Sequence, residues 1–256
     1  MNYENQKLYM LNYIHLFLYI VIFILSYYIT YTYKFPFCLF TSITLGWSLY
    51  AFVTIGHDCM HENFSPYHNL NKFLSYFFLN GILTSREAWQ EEHSSHHHDP
   101  GNPNDNMILE GTNIILNIVY LVKNQKKIPI SKQLFKLPLF ISLIFLPFYC
   151  LPIIWLSMVL SFIYLSLSAH IIENNIRDWK GEKKPEEIAL NIFPHSYLFC
   201  FLAGGLNIHG CHHKNPRWTR QELFEEAEKQ GYKEINTIKE FITLMWNRNK
   251  NEIINN

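Results

Sequence analysis

Eight histidines fall in three short clusters: His57 and His61 in "GHDCMH", His93, His96 and His97 in "EEHSSHHHDP", and His209, His212 and His213 in "NIHGCHHKNP". The first cluster has the spacing H-x-x-x-H; the other two share H-x-x-H-H. Residues three and four apart share one face of a helix, so each cluster aims its imidazoles into one volume. The adjacent histidines in H-x-x-H-H diverge by about 100°, so one helix can feed two metal ions. A closed structural zinc site takes four ligands, commonly thiolates, and no thiolate pair lies near these clusters. The donor set points instead to two ions of a metal that suits imidazole: iron first, with zinc or copper as alternatives. Imidazole ligates only when neutral, so metal loading should fail at acid pH. A ninth candidate, His170, sits near the end of a long apolar run, a depth at which ionisable groups are usually functional. His98 adjoins the second cluster as a group that supports a ligand from behind or faces solvent, while His15, His68 and His195 lack partners at ligand spacing and read as interfacial or surface residues.

Local signals put the clusters on helices. Thr84-Ser85-Arg86-Glu87 fits a capping box ahead of the second cluster, and Asp99-Pro100-Gly101 stops that helix. Pro216 limits the third segment, and Gly210 weakens its helix slightly.

The elements that must position these helices are greasy. Hydrophobic residues make up 49% of the chain and charged residues 16%, against the roughly 25% charged usual in soluble domains. Net charge is zero, which gives no electrostatic case for nucleic acid. Five cysteines without CxxC spacing read as buried or reduced thiols, not a disulfide frame. A bilayer core needs about 20 apolar residues. Runs at about 9–31 and 36–56 meet that requirement, and the block 137–172 divides into two spans, about 137–151 and 153–171, turning near Tyr149–Pro152. Shorter stretches at Leu70–Leu83 and Ile192–Ile208 carry polar interruptions and read as helices lying in the interface.

Lysines at 123, 126, 127, 132 and 136, with Arg177, Lys180, Lys183 and Lys184, flank the spans on one side; the tight links carry Lys34 or no basic residue. The positive-inside bias then places both termini, the segment 57–136 and the segment 172–250 in the cytosol. The expected architecture is an all-α membrane protein of one domain, 1–256. Four transmembrane helices form two hairpins beneath a cytosolic helical cap that carries all three clusters. Trp47, Tyr50, Phe52, Trp89 and Trp179 read as membrane-facing packing and interfacial anchors, or as the lining of an apolar tunnel. A non-catalytic metal carrier would place ionisable groups inside the spans, and these spans are nearly free of them. Asn63-Phe64-Ser65 is a glycosylation sequon that this layout keeps cytosolic and bare.

H-x-x-x-H followed by two H-x-x-H-H motifs resembles the three histidine boxes of the membrane fatty acid desaturase superfamily. "GHDCMHENFS" looks like that family's first box, and "AGGLNIHGCHH" is similar to its third-box region; the likeness covers roughly residues 40–218. The resemblance implies a four-span architecture with a cytosolic di-iron centre held by His57, His61, His93, His96, His97, His209, His212 and His213. It implies O2 as co-substrate and desaturation of an acyl chain on a lipid or on coenzyme A. In the acyl-CoA branch a further histidine at the end of the fourth span binds iron, four residues after an asparagine; His170 matches it, and Ser166 holds the asparagine's place. The length, "HDCMH" and "HHHDPGNPNDN" also look like carotenoid ketolases of the same superfamily, so ketolation or hydroxylation of a lipid is the alternative reaction. Without a fused haem domain in the sequence, electrons are expected from a separate carrier such as cytochrome b5 or ferredoxin. The expected host membrane is the endoplasmic reticulum or the plasma membrane.

Overall fold

A computed structural model of the chain describes residues 3–33, 37–80, 86–98, 151–173, 189–229 and 232–243. The expected third span, the lysine-rich segment 123–136, the Thr84 capping box, Trp179 and Lys180–Lys184 lie outside the described residues. The fold is predominantly helical. The helices are α1 (Tyr3–Thr32), α2 (Phe37–Met60), α3 (His68–Ser75), α4 (Arg86–His98), α5 (Leu151–Glu173), α6 (Tyr197–Leu202), α7 (His209–Lys214) and α8 (Arg220–Ala227). A π turn, Tyr76–Asn80, extends α3. The expectation of an all-helical chain is corrected at two short strands, β1 (Leu190–Ile192) and β2 (Lys233–Ile235), which pair in parallel. The apolar stretch Ile192–Ile208 is accordingly not one helix: its start belongs to β1 and only α6 within it is helical.

The described chain forms two compact units. The first runs up to Glu91 and includes α5 as far as Leu165; the second takes Glu92 to His98 and the chain from Ser166 onward.

In the first unit, Lys7–Thr32 and Leu39–Met60 are each long and apolar enough to cross a membrane. The exposure pattern of α1 inverts that of a soluble bundle. On α1 the polar Asn12, His15, Ser26 and Thr30 are buried, whereas Phe17, Ile24, Leu25 and Tyr28 are more than half exposed. Hydroxyl pairs zip α1 to α2: Ser26 Oγ meets Thr44 Oγ1 at 2.6 Å, and Thr30 Oγ1 meets Thr41 Oγ1 at 2.5 Å. Polar contacts of this kind hold helices together where no hydrophobic force acts between them. His15, expected to be an interfacial or surface residue, is 4% exposed beside the Tyr19 ring. Tyr19 packs edge-on against Trp47, and Phe52 stacks on Phe78. Gly46 lets α2 approach α5 closely: a Cβ there would lie 2.7 Å from Leu160 Cβ and 2.8 Å from the Ser157 carbonyl oxygen.

α3 is inverted too. Asn71 and Ser75 are buried while Phe73 is 61% exposed. α5 is 23 residues long, without a charged residue before Glu173, and contains the expected fourth span.

In the second unit, Leu190, Ile192 and Ile235 form a small core with Phe193, Phe199, Leu206 and Phe241 around it. α8 starts with a complete capping box. Thr219 N–H donates to Glu222 Oε2 at 2.7 Å, and Glu222 N–H donates to Thr219 Oγ1 at 3.3 Å. Gly204 and Gly205 take positive φ in the turn before α7. The Arg220 guanidinium donates to the Gly204 carbonyl at 2.7 Å, and a Cβ on Gly205 would strike that guanidinium at 2.8 Å.

Candidate metal centre

The first box ends α2. The helix does not stop at Gly56 but continues through the box to Met60. A Cβ on Gly56 would press on Leu79 at 3.0 Å, so glycine lets the helix pass close to the π turn. His61 N–H bonds the His57 carbonyl at 3.3 Å, which extends the turn and brings the two rings to 4.7 Å between centroids. His57 is buried, and its Nδ1 faces Asp58 Oδ1 at 3.2 Å. A proton held on Nδ1 by the carboxylate leaves the Nε2 lone pair as the ligating one.

The chain then reverses through Glu62 at φ 61°. Asn12 Nδ2 on α1 donates to the carbonyls of both Asn63 and Phe64 at 3.0 Å. Asn71 Nδ2 on α3 donates to the Ser65 carbonyl at 2.7 Å. The exit from the box is thus tied to two other helices. Met60 joins Val53, Leu79 and Trp89 in an apolar cluster beneath it.

The second unit gathers six imidazoles from α4 and α7. His93 is 3% exposed, His96 0%, His209 4%, His212 5% and His213 8%; His97 is half-buried and His98 exposed. Their ligand atoms fall into two sets, each with its members within 4.8 Å of one another: His93, His97 and His212 in one, His96, His209 and His213 in the other. Each set takes an i,i+4 pair from one helix and a single histidine from the other. The two boxes are therefore interleaved, as the divergence of adjacent histidines in H-x-x-H-H requires. Across the helices, His96 and His213 rings lie 5.0 Å apart, and His97 and His212 rings 4.9 Å apart.

Both i,i+4 pairs present Nε2 atoms to each other at 3.0 Å, His93 with His97 and His209 with His213. Two nitrogens bound at a right angle to one ion, with bonds of about 2.1 Å, would lie about 3.0 Å apart. The donor sets hold neither thiolate nor carboxylate. Such sites suit iron, zinc or copper over magnesium or calcium, and the buried imidazoles fit one ion per set. Cys211, next to His212, belongs to neither set; its buried Sγ accepts from Asn191 Nδ2 at 3.3 Å.

α7 is held on both sides. Its first turn is fixed by Asn191 on β1, whose Oδ1 accepts from Gly210 N–H at 2.8 Å. Its far end is anchored through Lys214, which pairs with the buried Glu226. Burial opposes the charge on Glu226, but hydrogen bonds from Lys214, Lys229 and Tyr232 prevail and hold the carboxyl at about 2. Sequence reasoning missed these supports. Asp58 adjoins His57 in the sequence, a signal left unused; Asn191 and Glu226 carry no spacing signal linking them to the boxes.

Of the other candidates, His170 lies in the last turns of α5 with its side chain outside the described residues. His68 and His195 are exposed and pair with Glu62 and Glu234.

Residues 33–113, the stretch that holds the first two boxes, match the family model described as fatty acid desaturase. The chain is 34% identical over 56 residues to the omega-3 fatty acid desaturase fat-1 of Caenorhabditis elegans, covering 22% of this chain and 14% of that protein. It is 34% identical over 59 residues to the sn-1 acyl-lipid omega-3 desaturase (ferredoxin) of Nostoc sp. (strain 36), covering 23% of this chain and 16% of that protein. A probable fatty acid desaturase of Sorghum bicolor is 34% identical over 56 residues, 22% of this chain and 14% of that protein. The matched segments thus span well under a fifth of these relatives. With the family match, they support the membrane fatty acid desaturase superfamily.

Proposed function

We propose that this chain, which carries the fatty acid desaturase pattern over residues 33–113, is an oxygen-dependent di-iron membrane enzyme that introduces a double bond into a lipid acyl chain. The observation that carries the reading is the interleaved pair of three-histidine sets, His93, His97, His212 and His96, His209, His213, all buried except the half-buried His97. Within the proposal His57 and His61 add a first-box pair to the same centre. His170, on the helix that contains the expected fourth span, adds a ninth ligand.

Bound iron would supply the redox chemistry that couples O2 reduction to removal of hydrogen from adjacent methylenes. In balance, an acyl –CH2–CH2– unit, O2, two electrons and two protons give –CH=CH– and two waters. The electrons come from an external carrier such as cytochrome b5 or ferredoxin. The chain's own residues hold the imidazoles at fixed separations, set Asp58 against His57 Nδ1, and shield most of the donor nitrogens from water. Fixed placement of a substrate methylene beside such a centre lowers the entropic part of the barrier.

The membrane setting is part of the proposal: four spans in two hairpins, in the endoplasmic reticulum or plasma membrane, with the histidines on the cytosolic face. The outward apolar and inward polar faces of α1 support it. The test is lipid analysis by mass spectrometry after expression in a host that makes both fatty acyl lipids and carotenoids. Loss of two hydrogens with a new double bond is expected. Gain of oxygen in a carotenoid or acyl product would replace desaturation with ketolation or hydroxylation.

A further inference from the structure

We propose that Asn191 is a positioning residue of the metal centre, setting the rotation of α7 and so deciding how its three histidines divide between the two sets. The proposal rests on the metal-binding reading above. A helix start leaves N–H groups that the N-cap side chain normally satisfies from one residue before the helix. α7 has Ile208 at that place, which has no polar side chain and makes no capping hydrogen bond. Asn191 does the capping from another element. Its Oδ1 accepts from the N–H of Gly210 at 2.8 Å and of Cys211 at 3.4 Å, the second and third residues of the helix. Its Nδ2 donates to Cys211 Sγ at 3.3 Å. Three contacts from one fully buried amide fix α7 against turning about its own axis.

The amide is itself held in place. Asn191 pairs with Glu234 in the parallel ladder and bridges Ile208 in antiparallel fashion. Ile192 N–H donates to the Asn207 carbonyl at 2.7 Å. The strand therefore carries the approach to the third box and its cap together. Gly210 completes the arrangement: a Cβ there would stand 3.0 Å from Asn191 Oδ1 and 3.1 Å from the Ala189 carbonyl oxygen. Rotation matters because His212 belongs to one set, and His209 and His213 to the other. Turning the helix moves all three at once, whereas loss of a cap that served stability alone would leave the donor geometry intact.

The test uses the full chain, purified in detergent and loaded with Co2+, whose visible absorption reports coordination geometry without any turnover. Wild type, Asn191→Leu, Asn191→Asp and Gly210→Ala are compared for Co2+ affinity, absorption bands and thermal unfolding. Outer contacts to metal ligands typically change affinity by about 10–100-fold. Asn191→Leu is expected to weaken Co2+ binding by about tenfold or more and to shift the bands. Asn191→Asp, which keeps the acceptor oxygen, recovers part of that loss. Gly210→Ala loses affinity although alanine is the better helix former. That variant decides the matter if Asn191→Leu fails to fold, because a stability role predicts an unchanged or tighter site. Wild-type affinity and bands in Gly210→Ala, or in a folded Asn191→Leu, overturn the positioning role alone. A wild-type chain that binds no Co2+ overturns the metal-centre reading and this inference with it.

Discussion

The Nε2 atoms of His93 and His97 face each other at 3.0 Å. The pair lies one helical turn apart on α4, and His212 from α7 closes the set. His98, the next residue, is exposed and belongs to neither set.

That contrast gives the first expected outcome. His97→Ala should lose bound iron and activity together, by more than the roughly 10–100-fold typical of an outer contact. His98→Ala should keep both. Metal analysis of the purified variants checks this, and a His97→Ala protein with full metal content would remove His97 from the ligand set. The same donors ligate only when neutral, so metal content should fall as the pH is lowered.

Glu226 should give the second unit a pH-dependent stability of its own. Its carboxyl is held at about 2 against an ordinary 4.5. A depressed folded value stabilises the fold fully above the unfolded value and is lost as pH falls through the folded one. Glu226→Gln should therefore lower Tm at pH 7, with the gap to wild type closing between about pH 4.5 and pH 2. The comparison is made in chelator, so that metal release does not contribute; a gap independent of pH would contradict the assignment.

Gly46 should tolerate no side chain. Its Cβ would overlap Leu160 Cβ and the Ser157 carbonyl, and overpacking of this kind costs about 1–3 kcal/mol. Gly46→Val is expected to lower the thermal midpoint in detergent, and Gly46→Ala by less. An unchanged midpoint for both would show that α2 and α5 do not meet there.

Asn12 spans from α1 to the loop after the first box. Asn12→Leu leaves the buried carbonyls of Asn63 and Phe64 without their amide donor, at a cost of about 1–3 kcal/mol for each group left unsatisfied. The expected result is a lower Tm together with weaker metal binding. Loss of stability with unaltered metal affinity would make Asn12 a packing residue only.

The sequon at Asn63 should stay bare in a glycosylating host. Asn63 is 3% exposed, and the proposed layout keeps it cytosolic. Endoglycosidase treatment should leave the mobility of the chain unchanged; a shift would place the first box in the opposite compartment.

The helical period made the first-order features readable from sequence. Spacings of three and four residues told that each box has a ligating face, and that adjacent histidines in H-x-x-H-H point apart. Runs of apolar residues located the bodies of α1, α2 and α5, but not their ends: α2 continues beyond the expected 56 to Met60. Those are local properties, written in consecutive residues. The tertiary structure alone decided which histidine of α7 joins which pair on α4, because that depends on how two helices distant in sequence pack. It also decided the supports. Asn12, Asn191 and Glu226 reach Phe64, Gly210 and Lys214, which lie 52, 19 and 12 residues away, and His15 is buried because α1 turns its polar stripe inward. A periodic pattern fixes which side chains share a face; only packing fixes what that face meets.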